Sequence, residues 1–137
     1  MFIEKKSQKE IKPNFGKLAG APPGIIPMAV QDVFSKKILM LGYVNQEALR
    51  LSLETGIATF WSSSRNELWV KGGTSGNTFG MVEILIDCEN NSFVYLVCAK
   101  KGGICHTKDE KGENRESCFY RTISLNENNN LTKGGRK

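Results

Sequence analysis

Thr78-Phe79-Gly80-Met81-Val82-Glu83-Ile84-Leu85-Ile86-Asp87 and Ser92-Phe93-Val94-Tyr95-Leu96-Val97-Cys98-Ala99, joined by Cys88-Glu89-Asn90-Asn91, are the longer β-favouring runs of the chain. Both are rich in β-branched and aromatic residues and are separated by a polar, Asn-containing turn, so they predict a pair of strands rather than helices. Working outward, Met28 to Phe34 and Ile38 to Val44 read the same way around Ser35-Lys36-Lys37, a link of hairpin length. Ile57 to Trp61 and Glu67 to Val70 predict strands on either side of Ser62-Ser63-Ser64-Arg65, and Cys118 to Leu125 predicts a final one. One helix interrupts this pattern. Asn45 is suited to cap it, Ala48, Leu49 and Leu53 supply an apolar stripe, and Gly56 stands where a helix ends. The expected fold is therefore α+β and mainly β, a small β-rich domain with one main helix.

The length of 137 residues predicts one domain. Residues 1–23 read as an arm that ends in Gly20-Ala21-Pro22-Pro23, residues 24–125 as the domain, and the Asn-, Lys- and Gly-rich residues 126–137 as a disordered tail. The net charge of +5 and pI near 9.1 admit nucleic acid as a partner, but the cations are spread along the chain and no nucleic-acid motif accompanies them. A small phosphorylated substrate fits the balance as well. No apolar run approaches the roughly 18 to 20 residues that span a bilayer, and Met1-Phe2-Ile3-Glu4-Lys5-Lys6 is not a signal-peptide core, so a cytoplasmic protein is expected. In a reducing compartment clustered cysteines are more often metal-binding or catalytic than disulfide-bonded.

Three of the four cysteines and the single histidine fall between Asp87 and Phe119, as Asp87-Cys88, Cys105-His106-Thr107 and Ser117-Cys118-Phe119. Three thiolates suit a zinc ion that keeps one position open for water. Their spacings match no compact zinc-finger pattern, and buried free cysteines are the competing explanation. Cys98, inside Phe93 to Val97 and its continuation, reads as strand core. His106 is either a fourth ligand, which makes the site structural, or a general base, which makes it hydrolytic. Lys71-Gly72-Gly73-Thr74-Ser75-Gly76-Asn77 offers backbone N–H groups, hydroxyls and one cation to an anion, although a plain hairpin loop explains it too. Arg65 offers a bidentate guanidinium to a phosphate.

Taken in order, Gly24-Ile25-Ile26-Pro27, Val30-Gln31-Asp32, Leu39 to Ala48, Glu54-Thr55-Gly56, Trp61-Ser62, Leu68 to Gly72, Thr74 to Asn77, Asp87-Cys88, Cys105-His106-Thr107 and Ser117-Cys118-Phe119 resemble the phosphoribosyl-AMP cyclohydrolases. The resemblance runs from about residue 24 to 123. It implies a hydrolase that opens the adenine ring of 1-(5-phosphoribosyl)-AMP between N1 and C6 by a zinc-bound hydroxide, the third step of histidine biosynthesis. It further implies an intertwined homodimer with zinc held by Cys88, Cys105 and Cys118 drawn from both chains, and His106 as the proton-transfer group. The substrate phosphates would be met by Arg65, Lys71, Thr74, Ser75 and Asn77. A magnesium site is implied at Asp87, Glu89 and Asn91.

The chain departs from the family pattern in four places. Glu89 and Asn91 stand for aspartates, so one carboxylate is lengthened and another becomes a neutral amide, which lowers the charge offered to magnesium. Ser63 stands for an arginine and Val70 for a histidine. Lys108 to Glu116 replaces a much shorter connection. These departures motivate two alternatives to the cyclohydrolase: a divergent paralogue acting on another phosphorylated purine or amidine ring, and a noncatalytic zinc-stabilised dimer.

Overall fold

The computed structural model describes residues 12–16, 24–72, 77–99 and 103–125, and the backbone of 131–134. Its elements are β1 (Ile26–Asp32), β2 (Ile38–Val44), α1 (Gln46–Thr55), β3 (Thr59–Ser62), β4 (Glu67–Val70), β5 (Phe79–Ile86), β6 (Phe93–Ala99), β7 (Thr122–Leu125) and β8 (Leu131–Gly134). The mainly β architecture with a single short helix is that expected from the sequence. Four strands form one sheet in the order β2-β1-β6-β5, and β3-β4 and β7-β8 form separate two-stranded ribbons.

Two antiparallel hairpins build the main sheet, with registers such as Ala29↔Leu41 and Leu85↔Val94. They join through a parallel pairing of β1 with β6, in which Met28 meets Phe93 and Val30 meets Tyr95. Alternation of side chains along each strand then gives the sheet two unlike faces. Ile26, Met28 and Val30 of β1 and Phe93, Tyr95 and Val97 of β6 are buried together. Against them lie Phe60 of β3, whose ring centroid is 4.8 Å from that of Trp69 and 6.5 Å from that of Tyr95, and Ala48 of α1. The opposite face carries Leu41 and Tyr43 of β2, Pro27 and Ala29 of β1, Val94 and Leu96 of β6, and Leu85 of β5. Leu41, Tyr43 and Leu85 are exposed there.

The helix begins and ends as its caps dictate. The Asn45 side chain accepts from the Ala48 N–H at 2.9 Å, and Gly56 adopts the left-handed conformation, φ 73°, that closes the last turn. The buried face keeps Ala48 and Leu49 of the expected apolar stripe but not Leu53. Leu53 is 66% exposed, whereas Ser52 is fully buried beside Ala48. Ser52 is tolerated because its hydroxyl donates to the Ala48 carbonyl at 2.9 Å and accepts from the Thr59 N–H at 2.9 Å, which also ties α1 to β3.

A second correction concerns the last strand. Cys118 to Arg121 lie outside β7, because the Cys118 N–H donates to the Leu39 carbonyl at 2.8 Å and the Ser117 hydroxyl to the Ile38 carbonyl at 2.6 Å, anchoring this segment to the start of β2. At 131–134, the part of the tail that is described, the backbone runs antiparallel to β7, with Leu125 opposite Leu131. No helix among the described residues is long and apolar enough to cross a membrane.

Candidate metal centre

Beyond β6 the chain leaves the sheet, and Ile104 packs into the core at 3% exposure, carrying Cys105 inward with it, also 3% exposed. Backbone pairing with the later segment holds this turn. The Cys105 N–H donates to the Arg115 carbonyl at 2.9 Å, and the Arg115 N–H donates to the Thr107 carbonyl at 3.1 Å. The Asn114 side-chain amide donates to the Cys105 carbonyl at 2.8 Å. The segment from Lys108 to Glu116 thus folds back as a loop of its own, with Lys108 bridged to Asn114 and Asp109 accepting from the Lys111 and Glu113 N–H groups at 2.8 and 3.0 Å. It also brings Cys118 near enough to Cys105 for each thiol to influence the ionisation of the other.

Their electrostatic surroundings differ. Burial opposes ionisation of Cys105, but the Thr107 hydroxyl and N–H, the Cys118 thiol and the Lys71 charge together take it below the ordinary thiol range. Cys118 is pushed upward, first by desolvation and then by negative charge on Cys105, with Lys71 acting against both. One thiolate is therefore favoured and the second is formed against the repulsion of the first. Strand β4 brings in Lys71, half-buried at its end.

The other expected residues take several positions. His106 is exposed beside Cys105. Asn77 donates from its side chain to the Gly103 carbonyl at 2.7 Å and so links the anion-loop motif to the Cys105 turn. Arg65 lies on the exposed turn between β3 and β4, with its guanidinium 3.8 Å from Glu67. Thr74 and Ser75 lie outside the described residues. Cys98 stays on β6, half-buried and opposite Gly80.

Cys88 is exposed at the end of β5. Among the described residues no three His, Cys, Asp or Glu side chains come together as a metal site, so one chain does not unite Cys88 with Cys105 and Cys118. Asp87 serves its own turn. Its Oδ1 accepts from the Asn91 N–H at 2.8 Å and the Ser92 N–H at 3.0 Å; desolvation opposes these bonds, and the net effect holds its carboxyl below the usual range. Asn91 is buried and Glu89 exposed.

An open cleft of about 890 Å³ is lined by Lys36, Lys37, Glu116, Ser117, Phe119 and Tyr120, the last four of which flank Cys118 in the chain. The family model of phosphoribosyl-AMP cyclohydrolase matches residues 40–120, a span that takes in both converging thiols, Lys71 and Cys88. The chain belongs to the phosphoribosyl-AMP cyclohydrolase family. A cyclohydrolase of Archaeoglobus fulgidus is 48% identical over 104 residues, covering 76% of this chain and 90% of that protein. Those of Hyphomonas neptunium and Haloarcula marismortui are 44% and 48% identical, covering 83% and 72% of this chain and 78% and 76% of the relatives. With the family comes cyclohydrolase activity in histidine biosynthesis.

Two groups around Cys105 carried no role in the sequence reading, Thr107 and Asn114. The Thr107 Oγ1 lies 2.9 Å from the Cys105 sulfur. A hydroxyl two residues after a candidate ligand was the available signal. The role of Asn114 depends on a fold-back that no local pattern announces.

Proposed function

We propose that the protein opens the adenine ring of 1-(5-phosphoribosyl)-AMP between N1 and C6, as a homodimer in which zinc is held by Cys105 and Cys118 of one chain and Cys88 of the other. The observation that carries this reading is that Cys105 and Cys118 lie near enough to shift each other's ionisation, within electrostatic range of Lys71, while Cys88 stands exposed and outside their group. Two neighbouring soft thiol donors suit zinc, and a third, exposed at the end of β5, is available to a second copy. Zinc, once bound, supplies the Lewis acidity that makes water nucleophilic near neutral pH.

The remaining work falls to side chains. Cys105 is pre-set toward the thiolate by Thr107 and Lys71. His106, exposed beside it, holds and moves the proton between water and the departing ring nitrogen. Lys71 and Arg65, with Thr74, Ser75 and Asn77, orient the phosphates, and the rings of Phe119 and Tyr120, which follow Cys118 in the chain and line the cleft, can meet the base. The open apolar face formed by Leu41, Tyr43, Val94 and Leu85 supports the dimer, since contiguous exposed apolar surface marks association. Magnesium at Asp87, Glu89 and Asn91 would bind weakly, because Asp87 is already used by its turn and Asn91 brings no charge.

The test is turnover of phosphoribosyl-AMP combined with subunit complementation. Cys88→Ser and Cys105→Ser are each expected to be inactive and zinc-poor. Unfolded, mixed and refolded together, they should recover about a quarter of wild-type activity, since half of the dimers are mixed and each carries one intact site of two. Absence of any recovery, with both variants folded and dimeric, would show that the ligands are not shared between chains. A zinc-replete wild-type dimer that leaves phosphoribosyl-AMP intact would refute the activity.

A further inference from the structure

We propose that Thr107 is a positioning residue for Cys105, its hydroxyl fixing the direction in which that sulfur presents its lone pairs and thereby setting the zinc affinity of the centre. The proposal rests on the zinc reading above. Thr107 approaches the sulfur twice, with Oγ1 at 2.9 Å and the backbone N–H at 3.5 Å. A metal-bound thiolate has no proton, so in that state the hydroxyl must be the donor. A buried thiolate also cannot call on water from the protein side, and Cys105 is 3% exposed.

The donor is held in place rather than free to turn away. The Thr107 carbonyl is bonded to the Arg115 N–H at 3.1 Å, and Cys105 is bonded to Arg115 at 2.9 Å and to Asn114 at 2.8 Å. Residues 105 and 107 are thus clamped to the same backbone segment, which leaves the Thr107 side chain directed at the sulfur. Hydrogen bonds of this kind orient ligands and tune their donor strength, and their loss commonly reduces metal affinity about 10- to 100-fold.

Thr107→Val keeps the shape and removes the donor; Thr107→Ser keeps the donor and removes the methyl group. Zinc affinity of the full-length dimer, measured by chelator competition, should fall about 10- to 100-fold in Thr107→Val and stay within about threefold of wild type in Thr107→Ser. Thr107→Ala, which cannot overpack, should fall with Thr107→Val. In cobalt-substituted protein the thiolate-to-metal charge-transfer band should move to lower energy in the valine and alanine variants, because an unbonded sulfur gives up its electrons more readily. The melting temperature of the metal-free protein should stay close to wild type, a result that separates ligand positioning from general destabilisation. The proposal is overturned if Thr107→Val binds zinc within about threefold of wild type with an unmoved cobalt band, or if Thr107→Ser loses as much affinity as Thr107→Val. Wild-type protein that takes up no zinc would overturn the zinc reading itself, a failure distinct from either of these.

Discussion

Alanine in place of Gly103 would put a methyl carbon 1.8 Å from the Asn114 carbonyl oxygen, 2.4 Å from its carbon and 2.7 Å from the Arg115 carbonyl oxygen. All three atoms are backbone, so no rotamer relieves the contact, and one segment must retreat by more than an ångström to reach the 3.0 Å that real contacts respect. The retreat separates the pair of segments that hold Cys105. Three bonds are at risk: Cys105 N–H to Arg115, Arg115 N–H to Thr107, and the Asn114 amide to the Cys105 carbonyl. At about 1 kcal/mol net for each, the loss is about 3 kcal/mol. For a domain of this size that corresponds to a melting temperature lower by roughly 10 °C. Turnover should suffer more than stability implies, because an ångström of displacement at a catalytic group costs on the order of 100-fold. Calorimetry, zinc content and phosphoribosyl-AMP turnover of Gly103→Ala measure all three consequences. A variant that melts, binds zinc and turns over as wild type does would refute the close packing of residue 103 on residues 114–115.

Two further outcomes follow from the core. Ser52→Ala leaves the Thr59 N–H without its buried acceptor and should cost about 1 to 3 kcal/mol in urea unfolding; an unchanged midpoint would mean that α1 and β3 are not joined through this hydroxyl. Tyr95 carries the pH dependence. Burial, partly offset by Ser52, pushes its phenol from 10.0 up to about 12, so the folded chain resists an ionisation that the unfolded chain undergoes. This contribution is fully present below pH 10 and is lost as pH rises through about 12, amounting to ~3 kcal/mol. Wild-type stability should therefore fall more steeply than that of Tyr95→Phe between pH 10.0 and about 12, the span of the two values, and parallel curves would contradict the assignment.

The sequence by itself determined the local elements and the chemical inventory. Alternation in Phe93 to Val97, a polar turn after Ile86, and the Asn45 and Gly56 caps act within a few residues, so they are readable without a fold. The family motifs, Cys105-His106-Thr107 and Ser117-Cys118-Phe119 among them, are likewise strings of adjacent residues, which is why the family was legible in the sequence. Tertiary structure decided what is close to what. The parallel pairing of β1 with β6 joins stretches far apart in the chain and makes one sheet of two hairpins. Which helix face is buried was settled by the partners that Ser52 found, against the apolarity of Leu53. The Cys118 segment left the strand pattern because the carbonyls of Ile38 and Leu39 took its donors. The meeting of Cys105 with Cys118, and the distance of Cys88 from both, depends on a loop folding back over a buried backbone, a matter of long-range sterics and hydrogen-bond satisfaction that residue identity alone does not encode.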